Sequence, residues 1–270
     1  MLEEAVSSRN GEIVQELLNG GVSAARIDLV KVLIGYPVPD AILDPFEGYH
    51  FPVREPQSQI APADLVRLLV THGGDVNQQS CTQGAGAWYG GSYAPCANLL
   101  NVAIDRHRPE LAKYLLAHGA DVNGHDFGCC IPGKRFRNWD GTMLPLVHAI
   151  VAGDIGMVRT LLAHGARINR PPHGWGNTSP AEVAAEKGDA AIVRLLLRHG
   201  ADPFEMARAM IDHHPELLSQ FSPGMRHHVE VELGPWCGRQ QSPSYAPDYR
   251  HSMRDWCAKA KKELRQAAEC

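Results

Sequence analysis

Several cysteine and histidine residues in the middle of the chain could bind a metal ion. Cys81 and Cys96 lie in one segment, and His125, Cys129 and Cys130 lie in the next. A structural zinc site needs four such ligands in a tetrahedron, but no compact Cys-x-x-Cys pair occurs and the two segments would have to converge. We therefore expect no metal and treat all the cysteines as free thiols. A Cys81–Cys96 disulfide is the alternative, which a reducing compartment disfavours.

Charged side chains concentrate in the second of these segments, where acid, base and cation candidates occur together: Asp126, Lys134, Arg135, Arg137 and Asp140. His148 follows this segment, and Asp105 and His107 precede it. Such pairs could transfer protons if their pKa values were displaced, but the sequence does not show that they meet. The chain has no glycine-rich phosphate loop, no G-x-S-x-G and no H-E-x-x-H motif. We therefore expect a non-catalytic chain without a cofactor.

Aromatic side chains cluster in the same part of the chain. Exposed aromatic residues anchor binding surfaces, whereas long loops can also bury their own aromatic residues as a small core. The binding interpretation is favoured because loops on a rigid scaffold commonly carry function. The predicted partner-binding or ligand-binding residues are Trp88, Tyr89, Tyr93, Asp126, Phe127, Arg135, Phe136, Arg137, Trp139, His148 and Trp175.

A repeated motif supplies the elements that must position these residues. LLAHGADVN at residues 115–123 has related copies at 69–77, 161–169 and 196–204, and a fainter copy at 17–23. In each copy an apolar run with helical spacing precedes a glycine, which supplies the left-handed residue that ends a helix. The motif glycines are Gly21, Gly73, Gly119, Gly165 and Gly200, at spacings of 52, 46, 46 and 35 residues.

A shorter helical segment precedes three of these glycine-terminated helices, at residues 99–106, 144–154 and 179–189. Ser179 followed by Pro180 is typical of a helix start, with a hydroxyl cap and a proline where no N–H is needed. Each repeat thus contains a short helix, a tight loop, a longer helix and a glycine stop. Such a helix pair cannot bury its apolar face alone, so neighbouring pairs must stack.

These residues resemble the ankyrin-repeat family, whose unit has about 33 residues and opens with T-P-L-H-x-A. SPAEVAAEKGDAAIVRLLLRHGADP at residues 179–203 is a close match, and residues 144–169 and 98–123 match less completely. The resemblance covers residues 1–221. It implies an all-α solenoid of about five repeats plus a terminal cap, with a protein as the partner.

The long spacings indicate insertions, which are tolerated at positions where they do not disturb the packing of the core. Residues 78–97, 124–143 and the shorter 170–178 precede first helices, where the resemblance implies hairpins that form a concave face together with those helices. We call these segments the first, second and third finger. In the second repeat the predicted helices are 24–35 and 61–72, so its insert, residues 36–60, lies between them.

His72, His118, His164 and His199 each precede a motif glycine and could be mistaken for a ladder of metal ligands. They recur because the repeat recurs. We therefore expect a structural role for all four.

The C-terminal end changes character at Phe221. Residues 205–220 are typical of a degenerate terminal helix pair that caps the solenoid, and residues 222–250 are rich in proline and glycine without helical period. Ser252 then caps a helix with one apolar stripe: Met253, Trp256, Cys257, Ala260, Leu264 and Ala267. Because a lone helix of this length is marginal in water, we expect it to dock on the solenoid. The predicted domains are 1–221 and 222–270.

Composition narrows the classes of partner. The formal net charge of −4 argues against nucleic acid, which needs a basic face. No apolar run approaches the length that spans a bilayer, and the N-terminus lacks the features of a signal peptide, so we expect no membrane partner and a cytoplasmic location. The favoured function is a protein–protein interaction module. The alternative is an atypical enzyme of cyclase, isomerase or lyase type, or a binder of small molecules, with an aromatic pocket under the fingers.

Overall fold

A computed structural model describes residues 1–34, 60–81, 96–124, 144–169, 179–240 and 247–269. The chain divides into two compact units. One comprises Met1–Ala149 and Ala163–Ala166, and the other comprises Ile150–Leu162 and Arg167–Cys270.

The first compact unit contains successive helix pairs and a two-stranded sheet. Its elements are α1 (Leu2–Ser7), α2 (Gly11–Asn19), α3 (Leu29–Ile34), α4 (Pro62–Thr71), β1 (Gln79–Cys81), β2 (Cys96–Asn98), α5 (Leu99–Asp105) and α6 (Pro109–Ala117). Helices α1 and α2, α3 and α4, and α5 and α6 pack as pairs, while α3 packs on α5 and α4 on α6. The first helices therefore stack on each other, and so do the second helices.

The second compact unit contains α9 (Pro180–Lys187), α10 (Ala190–Arg198), α11 (Pro203–His213), a 3-10 helix (Pro215–Gln220), α12 (Pro223–Gln240) and α13 (Pro247–Glu269). Here α9 packs on α10 and on α11. The helices α7 (Pro145–Ala152) and α8 (Ile155–Ala163) each contain residues of both compact units.

Apolar spacing explains why these segments are helices with one buried face. In α4, Leu65, Val66, Leu69 and Val70 are buried, which is the i, i+1, i+4, i+5 pattern of an amphipathic helix. Leu69 is 0% exposed, and full burial of a leucine side chain contributes roughly 1.5–3 kcal/mol. The buried side chains of α4 therefore come from one apolar stripe of the helix.

The motif glycines end the second helices as the sequence predicts. Their φ angles lie between 84° and 88°, in the left-handed region. After α4, the amide of Gly73 donates to the Val70 carbonyl and that of Gly74 donates to the Leu69 carbonyl, at 3.1 and 2.9 Å. These bonds satisfy carbonyl groups that the helix end would leave without a partner.

Asparagine side chains join one repeat to the next after these glycines. The amide of Asn77 donates to the Gly119 carbonyl at 3.0 Å, and its Oδ1 accepts from the backbone N–H of Asp121 at 2.7 Å. Asn169 makes the same two bonds, to Gly200 and Asp202, at 2.8 Å each. Asn123 donates to Gly165 at 3.3 Å. We call these contacts the asparagine bridges.

The histidines before the glycines act within their own helices. Nδ1 of His72, His118 and His199 lies 2.8–2.9 Å from the carbonyl oxygen four residues earlier. A carbonyl can only accept, so the ring proton lies on Nδ1. The structural role expected for these three residues is confirmed.

A cation, a phenol and an imidazole pack together between α4 and α6. The Tyr114 hydroxyl donates to the Arg67 carbonyl at 3.2 Å, and the Arg67 guanidinium lies 5.8 Å from the centre of the tyrosine ring. The His118 ring stacks on the Tyr114 ring, with the two ring centres 3.9 Å apart. Burial raises the pKa of the Tyr114 phenol above its ordinary value, against a smaller lowering by Arg67.

The first helix of the second repeat is shorter than predicted. Residues 25–27 form a turn and a bend, and α3 begins at Leu29 instead of residue 24. The cause is Asp28, whose Oδ1 accepts from the backbone N–H of Lys31 at 3.0 Å in the manner of a helix N-cap. The apolar spacing of residues 24–28 misled the prediction, because Ala24 and Ile27 are buried from a turn.

The predicted cap at Ser179 is confirmed. Its Oγ accepts from the Glu182 N–H at 3.2 Å, and the Glu182 carboxylate accepts from the Ser179 N–H at 3.0 Å, which together form a capping box. The Ser179 hydroxyl also donates to the Glu205 carboxylate at 2.8 Å. This contact joins the start of α9 to α11.

The C-terminal region is more helical than predicted. Residues 223–240, expected to lack helical period, form α12. Its buried side chains recur every fourth residue at Val229, Leu233 and Cys237, a sparse stripe that Gly234 and Pro235 obscure in the sequence. Helix α13 packs against α12, the 3-10 helix and α11.

A disulfide joins Cys237 of α12 to Cys257 of α13, which corrects the free-thiol interpretation for this pair. The two Cα atoms lie 6.2 Å apart, within the range that a disulfide can bridge. The sequence could not show this proximity, because α12 was not predicted. The division of the chain at residues 221 and 222 stays a prediction.

Candidate functional site

The predicted binding residues fall almost entirely on the fingers, outside the residues that the structure describes. This holds for Trp88, Tyr89, Tyr93, Asp126, Phe127, Arg135, Phe136, Arg137, Trp139 and Trp175. What the structure provides is the base from which the first two fingers extend, together with His148.

His148 meets Asp105, one of the charged pairs that the sequence left open. The Nδ1 atom of His148, on α7, lies 2.7 Å from Oδ1 of Asp105, the last residue of α5. The histidine side chain is 2% exposed and the aspartate side chain 51% exposed. Because a carboxylate accepts, Nδ1 carries the proton, and the pair fixes the tautomer and orientation of a buried imidazole. His107 sits in the adjacent turn with a φ of 52°.

The base of the first finger is an antiparallel ladder. Strands β1 and β2 pair Gln79 with Asn98, Ser80 with Ala97 and Cys81 with Cys96. Residues 82–95, which include the aromatic residues of this finger, continue from its open end. The pairing holds both ends of the finger at a fixed point beside α5, because β2 runs directly into that helix.

Ser80 and Asn98 join this ladder to neighbouring segments of the chain. The Ser80 hydroxyl donates to Asp28 Oδ2 at 2.7 Å, just before α3. The Asn98 amide donates to the Gly124 carbonyl at 3.0 Å, and its Oδ1 caps α5 by accepting from the Asn101 N–H at 2.8 Å. Gly124 is the first residue of the second finger, so Asn98 holds the bases of two fingers together.

These positioning residues were missed by the sequence analysis. Ser80 and Asn98 stand at the edges of the first finger without any motif that marks them. A cap signal exists at Asn98, since asparagine precedes the apolar run of α5. The contact with Gly124 depends on how repeats stack and has no local signal.

Two cavities lie among the described residues of the first compact unit. A cavity of about 140 Å³ lies at the finger bases, lined by Val76, Asn77, Gln79, Asn98, Leu100, Asp121 and Gly124. A larger one of about 500 Å³ is lined by Leu33, Ala61, Pro62, Ala63, Arg106 and Arg108. No aromatic side chain lines either cavity within the described ranges, so the aromatic pocket under the fingers stays a prediction.

The candidate metal ligands are not tested. His125, Cys129 and Cys130 lie outside the described residues, and so do the side chains of Cys81 and Cys96. Among the remaining residues with described side chains, no group of three or more histidine, cysteine, aspartate or glutamate side chains could hold a metal ion.

Comparison with protein families identifies the repeated helix pairs. Residues 100–207, from α5 into α11, match the family model of ankyrin repeats in three copies. The chain contains ankyrin repeats at residues 100–207. The predicted family and the all-α repeat solenoid are thereby confirmed, and ankyrin repeats generally mediate protein–protein interaction.

A search of curated proteins found none that matches this ankyrin-repeat chain. None of the helices in the described ranges has both the length and the apolar character required to cross a bilayer.

Proposed function

We propose that this chain is a protein-binding module whose partner contacts the fingers and the first helices beside them. Membership of the ankyrin family supports this proposal, since ankyrin repeats generally mediate protein–protein interaction. The inserts support it further, because long loops on a rigid scaffold commonly carry function.

The contacts at the finger bases favour a partner that meets several fingers at once. Asn98 joins the base of the first finger to the start of the second, through its bond to Gly124. Ser80 ties the same base to Asp28. Fixed bases reduce the freedom that the fingers lose on binding, and this loss is a main cost of association.

Chemistry on the fingers fits a partner with an apolar and acidic patch. Trp88, Trp139 and Trp175 would provide the apolar anchors, one on each finger. Arg135 and Arg137, with Lys134, would pair with acidic groups on the partner. His148 would contribute indirectly, because its buried ring orients the half-exposed carboxylate of Asp105.

The first prediction tests the aromatic anchors. The partner is first captured from a lysate of the source organism, identified and purified, and its affinity is then measured by calorimetry. Trp88→Ala and Trp139→Ala should each weaken binding by roughly 2 kcal/mol or more, about thirtyfold. Each should change the melting temperature little, because a side chain on an inserted finger is not part of the helical repeat core.

Arg159→Ala is the control, since Arg159 is an exposed residue of the second helix α8 and is not among the predicted binding residues. It should leave both affinity and melting temperature unchanged. If the tryptophan variants instead melt far below the parent, the aromatic residues form a core of the fingers, and the proposed binding site is wrong.

A further inference from the structure

The bond between Cys237 and Cys257 is a chemical feature that protein binding does not use. It joins α12 to α13 across 20 residues of chain, and both cysteine side chains are 5% exposed. Helix α13 is the last helix of the chain, and it contacts α12, the 3-10 helix and α11. The bond therefore fixes a terminal element to the end of the second compact unit.

Few of the described side chains of α13 are buried. The helix has 23 residues, yet its fully described buried side chains are Cys257, Ala260 and Leu264. One of these is the bridging cysteine and another is an alanine, so the buried residues described in α13 contribute little apolar area besides Leu264. A helix without sufficient docking is marginal in water.

Polar and aromatic contacts beside the bond depend on the same docking. Trp236 and Trp256, each next to a bridging cysteine, meet edge to face at 5.2 Å. The Trp256 indole N–H donates to Asp212 Oδ1 of α11 at 2.7 Å. Both tryptophans are half-buried, and the Trp256–Asp212 bond is exposed, where water competes for it.

We propose that the Cys237–Cys257 bond is a redox-sensitive clasp that decides whether α13 stays docked. A dithiol opens it when one thiolate attacks a sulfur, breaks the S–S bond and forms a mixed disulfide. The second thiol of the reductant then displaces the remaining protein thiolate. The protein gains two thiols, and the dithiol loses two electrons and becomes a disulfide. A small disulfide oxidant reverses the exchange.

Because the sulfurs are buried, α13 must open before the bond can be reduced. Since each cysteine is 5% exposed, a reductant reaches the bond only when α13 opens briefly at that point. Reduction is therefore slow, and the reduced state has lost the bond that favoured the docked helix. A bridge that closes a loop of this length favours the closed state by roughly a hundredfold.

Amide hydrogen exchange of the full chain, with and without dithiothreitol, tests the clasp. In the oxidised protein, α13 amides in residues 255–264 should be protected. Reduction should speed their exchange by roughly a hundredfold, while amides of α10 keep their protection. The variant with both Cys237→Ser and Cys257→Ser should match the reduced protein and ignore dithiothreitol, which controls for the remaining cysteines.

Three results would overturn the clasp. Mass spectrometry after alkylation could find both cysteines free in air-oxidised protein. Reduction could leave the exchange of α13 unchanged within about threefold, against the expected hundredfold. It could also speed the exchange of α10 as much as that of α13, in which case the bond supports the whole compact unit. The comparison of oxidised and reduced parent protein decides the matter even if the double variant fails to fold.

Discussion

At the scale of single residues, the pairing of His148 with Asp105 has a direct energetic consequence. The imidazole is almost fully buried and its Nδ1–H is held by the Asp105 carboxylate. Asp105→Ala removes this acceptor, and a buried donor without its partner costs about 1–3 kcal/mol. We expect a loss of this size in the free energy of unfolding, measured by urea denaturation at neutral pH.

Glu110→Ala is the control for this prediction. Glu110 pairs with Lys113 across an exposed i, i+3 contact at 2.8 Å, which contributes little to stability because water screens it. An equal, small loss in both variants would mean that the Asp105 contact does not hold the imidazole.

Sequence reasoning selected both members of this pair but could not join them. His148 and Asp105 are 43 residues apart, and their contact depends on how one first helix stacks on another. The same limit applies to Asn98 and Gly124, which are 26 residues apart. Residue types reveal candidates, whereas stacking decides which of them meet.

At the scale of elements, Gly188 shows how a helix end is shaped by its neighbour. It ends α9 with a φ of 77°, and a Cβ added there would lie 2.6 Å from the His214 ring. Gly200 has a φ of 88° with nothing within 4 Å of an added Cβ. Alanine at Gly200 should cost only the left-handed strain, about 1–2 kcal/mol. Alanine at Gly188 should cost somewhat more, because the His214 ring must shift to make room for the Cβ.

The crowding can be separated from the strain by a double-mutant cycle. In a His214→Ala background, the two glycine substitutions should destabilise the protein equally, as measured by denaturant midpoints. If Gly188→Ala stays the more costly change in that background, the ring of His214 is not the obstacle.

Helix ends that carry a local motif were predicted well, whereas α12 and the start of α3 were not. The glycine stops and the Ser179 cap follow from local chemistry that any ankyrin repeat shares. Helix α12 was missed because its buried residues are few and Gly234 and Pro235 interrupt its pattern. The start of α3 was placed too early because Asp28 caps the helix four residues after the apolar pattern begins.

At the scale of the whole molecule, we expect the C-terminal helices to protect the end of the repeats. Removing residues 223–270 uncovers the 3-10 helix and α11, against which α12 and α13 pack. Terminal repeats need a polar outer face, so the truncated chain should melt at a lower temperature and bind more of a hydrophobic dye. Removing only residues 266–270, which follow Leu264, the last buried side chain among the described residues, should change neither. If the chain without residues 223–270 melts at the same temperature as the parent, the repeats do not depend on α12 and α13 for their stability.

The asparagine bridges have a consequence for how such a chain can grow. Asn77 and Asn169 make the same pair of bonds, to a motif glycine and to the second residue after it, and Asn123 also donates to a motif glycine. The asparagine and the glycine of each bridge both belong to the repeated motif. Duplication of a genetic segment that encodes one repeat would therefore bring its own connector, and lengthening would require no matched change elsewhere.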